Sequence, residues 1–201
     1  MSRINLMKIF RFEECPSTQA IAKRLAQQGE SDLTTVVAKK QTEGVGRQGK
    51  AWISDEGGLW MSVVLKRRVP IDQVSYVALS VGIEAHKALN ELCIETIIKY
   101  PNDIMAFDGQ ERKKLAGILC QSSIKPGSLE FIIVGLGINV TNEPPAEGTS
   151  LKRLTGKSFE LNDVMKLMIG AIDKSTLRLE NDDKDSIIKE LFNIGCIQMP
   201  S

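Results

Sequence analysis

Hydrophobic positions along the chain sort into alternating helical and strand patterns. After Ser17, Ala20, Ile21 and Leu25 give helical spacing, Ser17 or Thr18 fits the N-cap, and Gly29 closes the run. Residues 34–42 are rich in β-branched side chains and predict a strand, which runs into three glycines within residues 43–50. In residues 59–66 the alternation of Leu59, Met61, Val63 and Leu65 predicts a second strand with one apolar face. The strongest helical period covers residues 74–92, through Val77, Val81, Ala85, Ala88 and Leu92. Residues 94–99 predict a strand stopped by Pro101. Asp108-Gly109 marks a tight turn ahead of two further strands, at 114–122 and 129–140, with Gly127 in the turn between them. Pro144, Pro145 and Gly148 then mark a loop, followed by helices at 161–179 and 185–192.

Strands in succession, interrupted by single helices, predict an α+β fold: a mixed β-sheet with helices packed on one side. A strict βαβ alternation is absent, which argues against a doubly wound nucleotide fold. The chain has 201 residues, within the range of one domain and ample for one core.

Composition narrows the function classes. A net charge of +1 supplies no broad field for nucleic acid or a membrane surface. The first dozen residues mix Arg3, Lys8 and Arg11 with short apolar stretches, so they form neither a secretory signal nor a membrane span. Cys15, Cys93, Cys120 and Cys196 contain no CxxC pair and are expected as free thiols, in keeping with a cytoplasmic protein. His86 is the single histidine and is expected at the surface or boundary of its helix, with no nucleophile motif beside it. Metal-hydrolase spacings are missing as well. What remains is chemistry by positioning, through backbone amides, lysines, arginines and Mg2+, which suits phosphoryl or nucleotidyl transfer.

Four segments carry that chemistry. Gly44-Val45-Gly46-Arg47-Gln48-Gly49-Lys50-Ala51-Trp52 lets backbone N–H groups approach a ligand and adds two cations that can meet phosphate. It lacks the ending of a Walker loop and no helix pattern follows it. Alone it reads better as a flexible hairpin loop with solvated charges. Lys99-Tyr100-Pro101-Asn102-Asp103 ends a strand with a cation, an amide and a carboxylate around a proline. Lys114-Leu115-Ala116-Gly117-Ile118-Leu119 opens a strand with a lysine, and Gly135-Leu136-Gly137-Ile138-Asn139 ends another with two glycines and an amide. Each has a purely structural explanation as turn, surface lysine or bulge. All four in this order do not.

Together these motifs resemble those of the biotin–protein ligase family, over about residues 12–151. The Lys114–Leu119 signature stands unchanged, and Ser17, Thr18 and Gln41 fall where the family places biotin contacts. The resemblance implies the catalytic fold shared with class II aminoacyl-tRNA synthetases. It also implies two steps: biotin and MgATP give biotinyl-AMP and pyrophosphate, then biotin passes to a lysine of a biotin carboxyl carrier domain. Lys114 and Arg47 are the implied catalytic cations. Ser17, Thr18, Gln41, Gly44, Gly46 and Gly117, with Arg47 and Lys114, are the implied biotin site. Arg47, Lys50, Trp52, Asn102, Asp103 and Asn139 are the implied nucleotide site, Asp103 being the candidate Mg2+ ligand.

Val45 replaces a family arginine, Lys50 stands where arginine is frequent, Tyr100 replaces a tryptophan, and Gln121 replaces a common acid. About sixteen residues precede Ser17, too few for the winged helix of repressor-type ligases, so no operator binding is expected. Residues 1–180 are expected as the catalytic domain and 181–201 as a C-terminal helix and tail. The family's small C-terminal β-barrel would then be absent or truncated, with Gly195-Cys196-Ile197 the remnant of its first strand. Homodimerisation stays open. Two alternatives remain: a lipoate–protein ligase, and, prompted by Val45, a non-catalytic module that binds biotin or biotinyl-AMP.

Overall fold

A computed structural model describes residues 7–181 and 183–194, so the Gly195-Cys196-Ile197 expectation lies outside the described residues. In chain order the elements are β1 (Ile9–Cys15), α1 (Thr18–Gln27), β2 (Thr35–Gln41), β3 (Leu59–Leu65), α2 (Val77–Glu91), β4 (Thr96–Lys99), β5 (Asp103–Asp108), β6 (Glu111–Lys125), β7 (Ser128–Ile138), α3 (Leu151–Thr155), α4 (Leu161–Glu180) and α5 (Lys184–Asn193). The strands form one sheet in the order β1-β2-β3-β7-β6-β5-β4. Only β1 and β2 run parallel; the other neighbours are antiparallel. The mixed α+β sheet is therefore present.

Its two faces carry different layers. Leu59, Met61, Val63 and Leu65 of β3 join Ile132, Val134, Leu136 and Ile138 of β7 beneath α2, α4 and α5. The opposite face buries Val36, Val64, Phe131 and Ile133 against Ala22 and Ala26 of α1. β3 is consequently buried at every position, although its alternation in sequence predicts one apolar face. The main helical layer lies on one side as expected, and α1 adds a second, shorter layer.

Two strands and a helix were not legible from the pattern. β1 is an edge strand whose Glu13 and Glu14 pair with Lys39 and Lys40, so charge breaks its apolar alternation. β5 buries only Ile104 and Ala106 and is masked by an aspartate at each end. It nevertheless feeds the predicted turn, where Gly109 takes a left-handed φ of 66° between paired Asp108 and Glu111. α3 is a single turn or so, capped by Ser150 and closed by Gly156 at φ 68°.

His86 departs from its expected place. It is buried, with Nδ1 2.8 Å from Thr96 Oγ1 and Nε2 3.1 Å from Asn90 Nδ2, so it ties α2 to β4. Burial, then the neighbouring Lys87 charge, holds its pKa below the usual histidine value. Cys15, Cys93 and Cys120 are free thiols, as expected; Cys196 lies outside the described residues. Among the described residues no helix is long and apolar enough to cross a membrane.

Candidate active site

α1 has ten residues and so spans only about 15 Å, which leaves part of its sheet face uncovered. Small side chains hollow out that part. Gly117, Gly137 and Trp60 align across β6, β7 and β3, and Leu119, Gly135 and Ser62 form the next row. These rows are the floor of a cleft of about 310 Å³, walled by Ser17, Thr18, Gln41, the loop after β2, Asn102, Asp103 and Lys114.

The end of the cleft nearest α1 is polar and neutral. Gln41 Oε1 accepts from Thr18 N at 2.8 Å and from Thr18 Oγ1 at 3.0 Å, while Gln41 Nε2 donates to Ser54 Oγ at 2.8 Å. Ser62 Oγ donates to Gln19 Oε1 at 3.0 Å and lies 2.9 Å from Thr18 Oγ1. Two hydroxyl hydrogens thus serve three contacts, which leaves this end rich in hydrogen-bond acceptors. Ser17 occupies the N-cap position of α1 without a side-chain capping bond.

The other end is cationic and covered by an indole. The loop between β2 and β3 folds as a small hairpin: Trp52 N donates to Gly44 O at 2.8 Å, and Gly46 N to Lys50 O at 2.7 Å. Gly44 must lack a side chain, since a Cβ there would lie 2.3 Å from Trp52 O. The hairpin lays Trp52 on the glycine floor. A Cβ on Gly137 would come within 2.6 Å of its Nε1, and one on Gly117 within 2.9 Å of the ring. Trp60 meets Trp52 edge-on at 6.4 Å, and Lys114 Nζ lies 4.7 Å from the Trp52 ring centre. Lys114 also pairs with Asp103 at 2.8 Å. Arg47 Nη1 donates to Asn102 Oδ1 at 3.2 Å across the cleft mouth. Trp52 Nε1 is buried against the Gly137 floor with no hydrogen-bond partner among the described residues.

Of the residues singled out in the sequence, Ser17, Thr18, Gln41, Gly46, Arg47, Lys50, Trp52, Asn102, Asp103, Lys114 and Gly117 come together around this cleft. Gly44 is buried at the base of the hairpin and does not line the cleft. Asn139 is turned away: its Nδ2 donates to Lys114 O at 3.4 Å and its Oδ1 accepts from Asn142 at 3.0 Å, so it buttresses the strand that carries Lys114. Gln19, Ser62 and Trp60 line the cleft without having been singled out. Only strand register reveals Ser62, and Gln19 follows the Ser17-Thr18 pair by one position. Among the described residues no three His, Cys, Asp or Glu side chains cluster as a metal cage. A Mg2+ held chiefly by substrate phosphates needs only one or two carboxylates, which Asp103 fits.

Comparison with known proteins agrees with this geometry. Residues 11–139 match the biotin/lipoate A/B protein ligase family. The bifunctional ligase/repressor BirA of Bacillus subtilis is 34% identical over 167 residues, covering 79% of this chain and 50% of that protein. The biotin–[acetyl-CoA-carboxylase] ligase of Paracoccus denitrificans is 33% identical over 178 residues, covering 82% of this chain and 71% of the relative. A biotin protein ligase from Aquifex aeolicus, solved in complex with biotin and ATP, superposes with a TM-score of 0.70 at 29% identity over 87% of this chain and 72% of that one. This chain spans about half the length of the first curated relatives it matches.

Proposed function

The chain belongs to the biotin/lipoate A/B protein ligase family, and from that premise we propose that it is a biotin–protein ligase. The observation that carries this is the division of one cleft into an acceptor-rich neutral end and a cationic end closed by Trp52. A cyclic urea presents two N–H donors to the first end. A carboxylate and a phosphate suit the second.

In the first step a biotin carboxylate oxygen bonds to the α-phosphorus of ATP as the bond to pyrophosphate breaks. Two anions must meet, and Lys114 and Arg47 supply the charge that allows it. Lys50 extends that charge along the hairpin, and Trp52 offers an aromatic face to the adenine. Mg2+, with Asp103 as its protein carboxylate, would screen the phosphates. The hairpin keeps water from the mixed anhydride. In the second step an unprotonated lysine amine of a biotin carboxyl carrier domain attacks the acyl carbon; AMP leaves and the nitrogen loses a proton.

The deciding assay incubates the protein with MgATP, a carrier domain and either biotin or lipoate, and weighs the carrier. A biotin-sized mass increase on the acceptor lysine is expected. Transfer of lipoate alone would reassign the acyl group, and tight biotin binding without pyrophosphate release would leave a binding module.

A further inference from the structure

We infer that Asn102 is a positioning residue that latches Arg47 over the cleft and does not itself contact the nucleotide. The inference rests on the ligase function proposed above only for its kinetic arm.

Asn102 lies in the turn between β4 and β5, directly before the register of β5 on β6 begins at Asp103 and Gly117. It clasps Ile118 twice: Ile118 N donates to Asn102 O at 2.9 Å, and Asn102 Nδ2 donates to Ile118 O at 2.9 Å. The first anchors the backbone, and the second, from Nδ2, fixes the orientation of the side-chain amide. Reversing it would set Oδ1 against a carbonyl oxygen and Nδ2 against a guanidinium, so both contacts would be lost. In the only orientation that satisfies both neighbours, Oδ1 faces Arg47 Nη1 at 3.2 Å.

Arg47 needs such a partner. It sits at the exposed tip of the hairpin, in the short turn Arg47–Gly49, where Gln48 and Gly49 take left-handed φ values of 56° and 72°. A free arginine there would scatter over many rotamers. One hydrogen bond from a residue anchored in the sheet restricts it and leaves its remaining N–H groups for phosphate. The choice of amide over carboxylate follows from the same chemistry. A neutral acceptor orients the guanidinium without cancelling its charge, whereas Lys114, which lines the same cleft, already faces the carboxylate of Asp103. With its nitrogen on Ile118 and its oxygen on Arg47, the Asn102 side chain is held by protein at both ends.

The test is a double-mutant cycle on Asn102→Ala and Arg47→Ala, read by biotin-dependent pyrophosphate release. Asn102→Ala alone should slow adenylation roughly tenfold, the worth of one hydrogen bond to a charged group, while biotin affinity stays unchanged. Tm should fall equally in the wild-type and Arg47→Ala backgrounds, because Ile118 O loses the Nδ2 donor in both. In the Arg47→Ala background Asn102→Ala should slow adenylation no further. Additive losses would overturn the proposal, since they would mean that Asn102 meets the substrate by itself. An equal loss of biotin affinity would also overturn it. A second readout needs no activity: trypsin cleavage after Arg47 should accelerate in Asn102→Ala, with cleavage after Lys66, outside the hairpin, serving as the control. Should the wild type release no pyrophosphate, the ligase function fails and the cleavage rate alone decides the latch. Unchanged cleavage after Arg47 overturns it.

Discussion

The Lys114 ammonium touches a carboxylate and an indole at once, and a ligand must compete with both. Its pair with Asp103 is only partly buried, with side chains 31% and 20% exposed, so solvent screens it and the pair contributes on the order of 1 kcal/mol or less. Exchange of Asp103 for an incoming carboxylate or phosphate is therefore inexpensive. The charge that Lys114 offers to a transition state is worth more, about 3 kcal/mol in a water-poor site. Lys114→Ala should thus slow biotin-dependent pyrophosphate release by on the order of a hundredfold, with a smaller fall in biotin affinity by calorimetry. Adenylation at the wild-type rate would remove Lys114 from the chemistry. Lys114 was readable because its type and its neighbours Leu115–Leu119 form a contiguous signature. Gln19 and Ser62 were not, because their role depends on which rows of three strands face each other.

Strand register makes the hollow in the first place. Gly117 and Gly137 sit opposite one another on β6 and β7, and Trp52 rests on both. Gly137→Ala would place a methyl group 2.6 Å from the indole nitrogen, so the ring and the hairpin behind it must lift. The strand itself should survive, as alanine fits the extended backbone. The expected outcome is a red-shifted tryptophan emission and weaker ATP binding with biotin binding largely kept. Unchanged emission would mean that Trp52 does not lie on the glycine floor in solution. The elements with strong periods, α2, α4, β3 and β7, were legible in sequence, whereas β1 and β5 were not. An edge strand braced by ion pairs and a six-residue strand with two buried positions leave little apolar rhythm to read. The second face of β3 was hidden for a different reason: α1 covers it from far along the chain, and the alternation Leu59, Met61, Val63, Leu65 already accounted for one core.

At the scale of the whole molecule, a charge network fastens the helical layer far from the cleft. Glu84, 3% exposed on α2, is reached by Lys87, Lys174 and Arg178, and Glu190 of α5 shares Lys87 and Arg178. Burial pushes the Glu84 carboxyl up, but hydrogen bonds from Lys174, Lys87 and Arg178 outweigh it and leave the pKa below its usual value; Glu190 follows the same balance with Lys87 and Arg178. A carboxyl depressed in the folded state stabilises the fold above its unfolded pKa of about 4.5, and that contribution disappears as pH falls through the folded value. His86 acts in the same direction at higher pH. Its folded pKa is lowered by burial, so the unfolded chain takes up the proton first and stability declines as pH falls below about 6.5. Tm should therefore drop in two stages on acidification. His86→Gln, which keeps hydrogen-bonding groups near Thr96 and Asn90, should flatten the first stage, and Glu84→Gln the second. Glu84→Ala should in addition cost on the order of 1 kcal/mol at neutral pH, because Lys174 loses its carboxylate while Lys87 and Arg178 keep Glu190. Scanning calorimetry from about pH 7 to pH 3 checks all three; a wild-type Tm that is flat across the histidine range would show that His86 is not held neutral in the core.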